Sequence, residues 1–299
     1  MTTPFRLLVV TALWVAPGVG VKASEWKLAL KTDIGGAAAL ADGDGVHIAA
    51  FLDVTHGYAI FRHGEVHSTA DGGKRWPKGR WPGGFYWPDG MDILNAKTAW
   101  VSGGNYIRRT GDGGRTWDEL ADCCTAYSPG RHVSFANLMV GWVATGSNLR
   151  STGDGGKNWK TVPLPRDSND DIMAVQRLPD AGFVLLNSGK LLKTTTGGMS
   201  WEVKQIPLKG RLPVPMIPST SVEAIGFKDL LHGVAVLYAV KPQRGFFIYE
   251  TDDGGSTWRD SPCPAEVKSI LGNIYLTRDG QYLTVSDVDR SRVYVYRRQ

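Results

Sequence analysis

Thr152-Gly153-Asp154-Gly155-Gly156-Lys157-Asn158-Trp159 is one of five copies of a single phrase in this 299-residue chain. The others occupy residues 69–76, 110–117, 194–201 and 251–258. Four copies read T-x-D-G-G-x-x-W, with Asp71, Asp112, Asp154 and Asp253 in the third place; the copy at 194–201 carries Thr196 there. The closing tryptophans, Trp76, Trp117, Trp159, Trp201 and Trp258, follow one another at 41, 42, 42 and 57 residues. A period near 42 with a fixed turn signature marks stacked β units. The spelling has a physical cause. Asp followed by two glycines makes a tight hairpin, because Gly accepts positive φ and the carboxylate bonds nearby amides. The Thr hydroxyl lies close enough to join that network, and the Trp opens the returning strand, where its ring fills a gap between sheets. All three jobs are structural.

A weaker motif precedes each phrase, a small residue followed by an apolar strand: Gly57-Tyr58-Ala59-Ile60, Ala99-Trp100-Val101, Gly141-Trp142-Val143-Ala144, Gly182-Phe183-Val184-Leu185 and Gly233-Val234-Ala235-Val236. A sixth, Gly280-Gln281-Tyr282-Leu283, is followed by strand residues to Tyr296 and by no Trp. At the other end Glu25-Trp26-Lys27-Leu28 reads as an outer strand with no turn before it. The expectation is an all-β propeller of four-stranded blades, its last blade completed by the N-terminal strand so that no sheet edge is left open. Six motifs and six tryptophans balance at six blades; a seventh would have to hide in the oversized intervals 26–76 or 201–258. In the third unit, strands are expected near 133–135, 141–144, 149–152 and from Trp159 onward. The five phrases then lie on one face of the disc, and the loops around the mouth of the central channel lie on the other.

The phrase closely resembles the Asp-box, or BNR repeat, of sialidases, of the photosystem II stability/assembly factor family and of several glycan-cleaving propellers. The resemblance covers the chain from residue 24 in its repeat pattern and specifies fold more than role. Likeness to the assembly factors implies a non-catalytic scaffold that presents one face to a protein partner. Likeness to the sialidases implies three arginines on a substrate carboxylate, a Tyr nucleophile with a Glu, and an Asp acid/base. Against the second, the Arg-Ile-Pro string of that family is missing; the nearest string is Phe61-Arg62-His63-Gly64. Paired carboxylates for glycoside hydrolysis could be nominated at Asp170-Asp171 or Asp287 with Asp289, and both pairs read as solvated loop residues. The glycan-acting reading, hydrolase or lectin, is the alternative, and no catalytic residue is assigned.

Cations and aromatics gather in the loops expected at the channel mouth. Arg80-Trp81-Pro82-Gly83-Gly84-Phe85-Tyr86-Trp87 is the densest string, and Arg62, Arg131 with His132, Lys190, Arg244 and Arg290 fall in equivalent loops. Arg, Trp and Tyr are the residues enriched at protein-binding hot spots, so Arg62, Arg80, Trp81, Tyr86, Trp87, Arg131, His132, Arg244 and Arg290 are the partner-binding candidates. Neither a metal motif nor a cofactor motif is present.

Residues 1–23 read as a secretory signal peptide: Arg6, the apolar run 7–16, the break at Pro17-Gly18, and a cleavage site after Ala23. The apolar run is too short to span a bilayer, so the mature chain, one propeller domain over 24–299, is expected in the periplasm or outside the cell. Losing Arg6 and Lys22 lowers the formal charge from +5 to +3, no argument for nucleic acid. Three cysteines, Cys123, Cys124 and Cys263, leave an odd thiol. A vicinal bridge or buried thiols are expected rather than a bridge to Cys263 across the ring.

Overall fold

The structure, a computed structural model, describes residues 24–34, 46–61, 64–80, 88–104, 106–120, 130–167, 170–206, 224–239, 245–264, 267, 274–287 and 292–299. Strand β1 (Trp26–Asp33) comes first, and the rest follow as consecutive blades. Blade I holds β2 (Val46–Phe51), β3 (Gly57–Phe61) and β4 (Val66–Thr69); blade II holds β5 (Pro88–Ile93), β6 (Ala99–Gly103), β7 (Tyr106–Thr110) and β8 (Asp118–Glu119). Blade III is β9 (Gly130–Phe135), β10 (Gly141–Thr145), β11 (Asn148–Thr152) and β12 (Lys160–Val162); blade IV is β13 (Ile172–Arg177), β14 (Gly182–Leu186), β15 (Lys190–Thr194) and β16 (Glu202–Gln205). Blade V has β17 (Ala224–Phe227), β18 (Gly233–Ala239), β19 (Gly245–Thr251) and β20 (Arg259–Ser261). Blade VI has β21 (Ile274–Leu276), β22 (Tyr282–Asp287) and β23 (Arg292–Arg298), with β1 as its outermost strand. The innermost strands touch in the series β2, β5, β9, β13, β17, β21 and back to β2, which closes a six-membered ring.

Five blades have four strands. In blade I the fourth is reduced to residues 77–79, where Lys78 bridges His67 and the Ser68 and Gly79 amides donate to the Pro77 and Val66 carbonyls. In blade VI the glycine of the upstream motif also departs from the pattern: Gly280 sits in the turn at φ 66°, and the strand begins at Tyr282. Cys123 and Cys124 lie outside the described residues; Cys263 is half-buried against the wedge between blades V and VI.

The core consists of six wedges, one between each pair of neighbouring blades, and every wedge contains one strand-opening tryptophan. Trp117 lies between blades I and II, Trp159 between II and III, Trp201 between III and IV, Trp258 between IV and V, Trp26 between V and VI, and Trp76 between VI and I. Trp26 therefore takes the place its sequence context assigns to it. Phenylalanines that end the inner strands complete the wedges: Phe51, Phe135 and Phe227 meet Trp76, Trp159 and Trp258 edge-on at 5.8, 6.1 and 6.2 Å. These rings explain the small residue of the upstream motif. A Cβ on Gly57, Gly141 or Gly233 would stand 2.8, 2.4 or 2.3 Å from the ring of Phe51, Phe135 or Phe227.

The boxes have the geometry their spelling predicts. Thr69, Thr110, Thr152 and Thr251 donate their hydroxyls to Asp71, Asp112, Asp154 and Asp253 at 2.8–2.9 Å, and accept the amide of the second glycine at 2.8–2.9 Å. Each Asp then accepts the amide four residues on, at 2.8–3.0 Å. Thr196 reproduces that bond with its hydroxyl, which accepts the Ser200 amide at 2.9 Å. Both glycines of every box have φ between 69° and 98°, and the second presses on the preceding blade: a Cβ on Gly73 would lie 2.3 Å from Thr32, on Gly198 2.4 Å from Val162. The first glycine's amide ties four boxes to the neighbouring turn of the same blade, donating to the carbonyls of Thr55, Lys97, Met139 and Leu231 at 2.8–3.0 Å. Those turns are themselves closed by Asp53, Asn95, Asn137 and Asp229, each accepting two following amides at 2.7–3.0 Å.

Ring closure rests on seven registered residue pairs between β1 and β23, from Trp26 opposite Arg298 to Asp33 opposite Arg292. A chain beginning at Lys31 loses the buried Trp26, worth about 3–5 kcal/mol by itself, and opens a sheet edge. The expected result is aggregation or a sharply lower melting temperature, read by calorimetry; parental melting would disprove the split blade. The boxes give a second expectation. Hydrogen bonds from Arg75 and from Asn158 hold the Asp71 and Asp154 carboxyls at about 2, and at Asp253 the bonds from Thr257 and Thr251 outweigh burial to give about 2. Because these groups bind protons more weakly folded than unfolded, their contribution is complete above the ordinary value of 3.8 and is lost as pH falls towards 2. Melting temperature should drop through that interval. Asp112→Ala at neutral pH should cost about 1 kcal/mol in a urea titration.

Candidate protein-binding face

The end of the channel nearer the boxes is crossed by side chains. Asp92, near the end of β5, accepts the Phe135 amide of blade III at 2.7 Å; Ser134 accepts the Arg177 amide of blade IV at 3.0 Å; Gln176 accepts the Phe227 amide of blade V at 2.6 Å. Each polar side chain occupies the same inner-strand position and clamps the next blade. Where that position is Ala50, the amide of Ile93 bonds instead to the Tyr275 hydroxyl of blade VI at 3.1 Å. Arg278, in the turn after β21, spans the channel. Its Nε donates to Asp92 Oδ1 at 2.9 Å, a second nitrogen reaches Asp92 Oδ2 and the Phe135 carbonyl, and its own carbonyl accepts from Gln176 at 2.8 Å. Burial works against the Arg278 charge, but Asp92 outweighs it and raises the guanidinium pKa. The Arg278 side chain thus fastens blade VI to blades II and III, and its carbonyl holds blade IV through Gln176.

At the opposite end the inner strands share a different feature. Pairing slips by one residue at the same place in blades I to IV, between Val46 and Ile48, Pro88 and Gly90, Gly130 and His132, and Ile172 and Ala174. The extra residues are His47, Asp89, Arg131 and Met173. A bulge of this kind re-aims a side chain and is common at rims and binding sites. Asp89 is exposed, and His47 and Met173 are half-buried. The sequence reading picked out Arg131 and missed the other three, because a bulge leaves no residue signature in a strand of mixed polarity.

Of the other candidates, His132 follows Arg131 on β9, half-buried and opposite Ala144. Arg80 is exposed at the end of blade I's short outer strand, and its amide donates to the Arg115 carbonyl at 2.7 Å, beside the box of blade II. Arg62, Trp81, Tyr86, Trp87, Arg244 and Arg290 lie outside the described residues, as does the Arg131 side chain. Lys190 does not stand as a free rim cation: Asp167 and Asp170 hold its ammonium at 2.6 and 3.2 Å. Asp170, expected to be solvated, is buried. Burial alone would raise its pKa, but bonds from Ser188 and Lys190 outweigh that and lower it. A general acid needs the reverse. The strap yields a stability test. Arg278→Met leaves Asp92 charged, buried and without its partner, and should cost about 3–5 kcal/mol by denaturant unfolding; a loss under 1 kcal/mol would show that the strap is not structural.

No curated protein matches the sequence. Three solved structures are among those similar to this chain. "YCF48 bound to D1 peptide" is 16% identical at a TM-score of 0.48, over 94% of this chain and 96% of that one. The GH74 enzyme of Niastella koreensis is 14% identical at 0.56, over 83% of this chain and 45% of that one. The virginiamycin B lyase of Staphylococcus aureus is 13% identical at 0.54, over 91% and 99%. The two enzymes support the propeller fold and nothing about chemistry. A family model described as photosynthesis system II assembly factor YCF48 matches residues 124–296, more than half of the chain and the whole of blades III to V, and on that match the chain belongs to the YCF48 assembly-factor family.

Proposed function

We propose that the protein is an exported, non-catalytic scaffold that holds a segment of a protein partner at the channel mouth opposite the boxes. Family membership is the observation that carries this reading. It is supported by the one-sided build of the disc: a fastened end at Arg278, and a mouth where four inner strands each bulge once. The mixed set His47, Asp89, Arg131 and Met173 suits a polypeptide, which offers charges, amides and apolar side chains in turn. It does not suit a sugar acid, which calls for converging arginines. The loop containing Trp81, Tyr86 and Trp87 supplies the aromatic anchors of this proposal. Export rests on residues 1–23 of the sequence, and no helix among the described residues is long and apolar enough to cross a membrane.

The experiment is a binding titration with the partner recovered from the exported fraction, run beside a sugar-release assay on sialosides and common polysaccharides. Trp81→Ala/Trp87→Ala should weaken binding by about 2 kcal/mol or more, and Arg131→Ala should mainly slow association and flatten its salt dependence. Unchanged affinity in the double variant, together with sugar release by the wild type, would overturn the scaffold reading.

A further inference from the structure

Ser24, two residues before β1, is built into the seam between blades V and VI. Its hydroxyl donates to Glu250 Oε2 at 3.0 Å and accepts from Arg298 Nε at 2.9 Å, and its carbonyl accepts from Ser261 at 3.2 Å. Glu250, on β19, is fully buried. Arg298 and Arg259 also donate to Oε2, at 2.8 and 3.1 Å, and Arg259 is shared with Asp252. Three donors thus crowd one oxygen of this carboxylate, while Oε1 is buried with no hydrogen-bond partner. A buried carboxylate oxygen without a donor is costly, and a carboxylate can accept about four hydrogen bonds over its two oxygens. Two groups at the seam can supply the missing donor: Arg259 Nε, itself buried without a hydrogen-bond partner, and the nitrogen of Ser24. The nitrogen of Ser24 belongs to the residue whose hydroxyl is on Oε2, and the sequence puts the cleavage site directly before it.

We propose that the Ala23–Ser24 bond is a maturation site that completes this seam: its cleavage makes the α-ammonium of Ser24, which pairs with Glu250 Oε1 and locks the blade ring shut. The step is a hydrolysis by a signal-peptidase-class endoprotease. Water adds across the amide, Ala23 leaves with a carboxylate and Ser24 keeps the nitrogen, protonated at neutral pH. The inference rests on the export reading above and deepens it, because the processed terminus becomes part of the fold.

Three measurements test it. Mass spectrometry of the exported protein should give Ser24 as its first residue; any other first residue overturns the proposal, and an uncleaved chain retained in the cytoplasm overturns the export reading with it. In purified protein beginning at Ser24, NMR of the dimethylated terminal amine should show titration well above the ordinary ~8, and Glu250→Gln should return it to that value. Retaining Ala23 moves the charge off the carboxylate and should lower the melting temperature by several degrees. A protein that begins at Ser24 but titrates near ~8, and melts like the Ala23-extended chain, overturns the docking alone and leaves export standing. The wild-type titration decides the matter even if Glu250→Gln does not fold.

Discussion

A blade of this protein cannot be stable by itself, and the architecture follows from that constraint. Every described residue of β3, β6, β10 and β14, the second strands of blades I to IV, is buried. Both faces of each sheet therefore need a neighbour, and burial of apolar surface is what drives the sheets together. Wedge-shaped gaps are unavoidable when twisted sheets are set around an axis. One indole per gap fills them, with a phenylalanine of an inner strand set against it in three of the six. An open chain of such blades would leave two apolar faces in water. That is why the sixth tryptophan, Trp26, is supplied from the far end of the sequence.

The box serves this packing indirectly. It brings the chain back from the third strand to the fourth in a turn flat enough to press on the preceding blade, and it does so by satisfying the turn's own amides. Thr196 shows how little of the carboxylate is needed, since one hydroxyl accepts the same amide. The negative charge adds strength to bonds an uncharged acceptor can also make, so one box in five tolerates its loss. The network is spent on the turn's own amides, which is why a phrase so regular says little about activity.

Much of the fold was legible because it repeats. The box, the small residue before the second strand and the stranded Trp26 each answer to a local steric or hydrogen-bonding demand. The same demand recurs at a fixed spacing, so sequence alone exposes it. The parts that escaped are the ones that break the repeat. Arg278, in the turn after β21, belongs to no repeated phrase, yet it reaches across the ring. Asp92, Ser134 and Gln176 are chemically unlike one another, so nothing in their spelling marked them as one clamp. The bulges at His47, Asp89, Arg131 and Met173 were invisible for the opposite reason: an extra residue in a strand changes register without changing composition.

The two ends of the channel are built differently. A ring of sheets leaves a hole at its axis, and the inner-strand amides that face it have no fifth strand to bond. Near the boxes that need is met by neighbouring blades: Asp92, Ser134 and Gln176 cap amides of the next inner strand, and Arg278 neutralises Asp92. Polar groups spent this way are unavailable to a ligand. At the other end the register of the inner strands of blades I to IV shifts by one residue, at His47, Asp89, Arg131 and Met173. Bulges of this kind re-aim a side chain and recur at sheet edges and rims. Clamp and bulge thus fall on different residues of the same three inner strands, β5, β9 and β13.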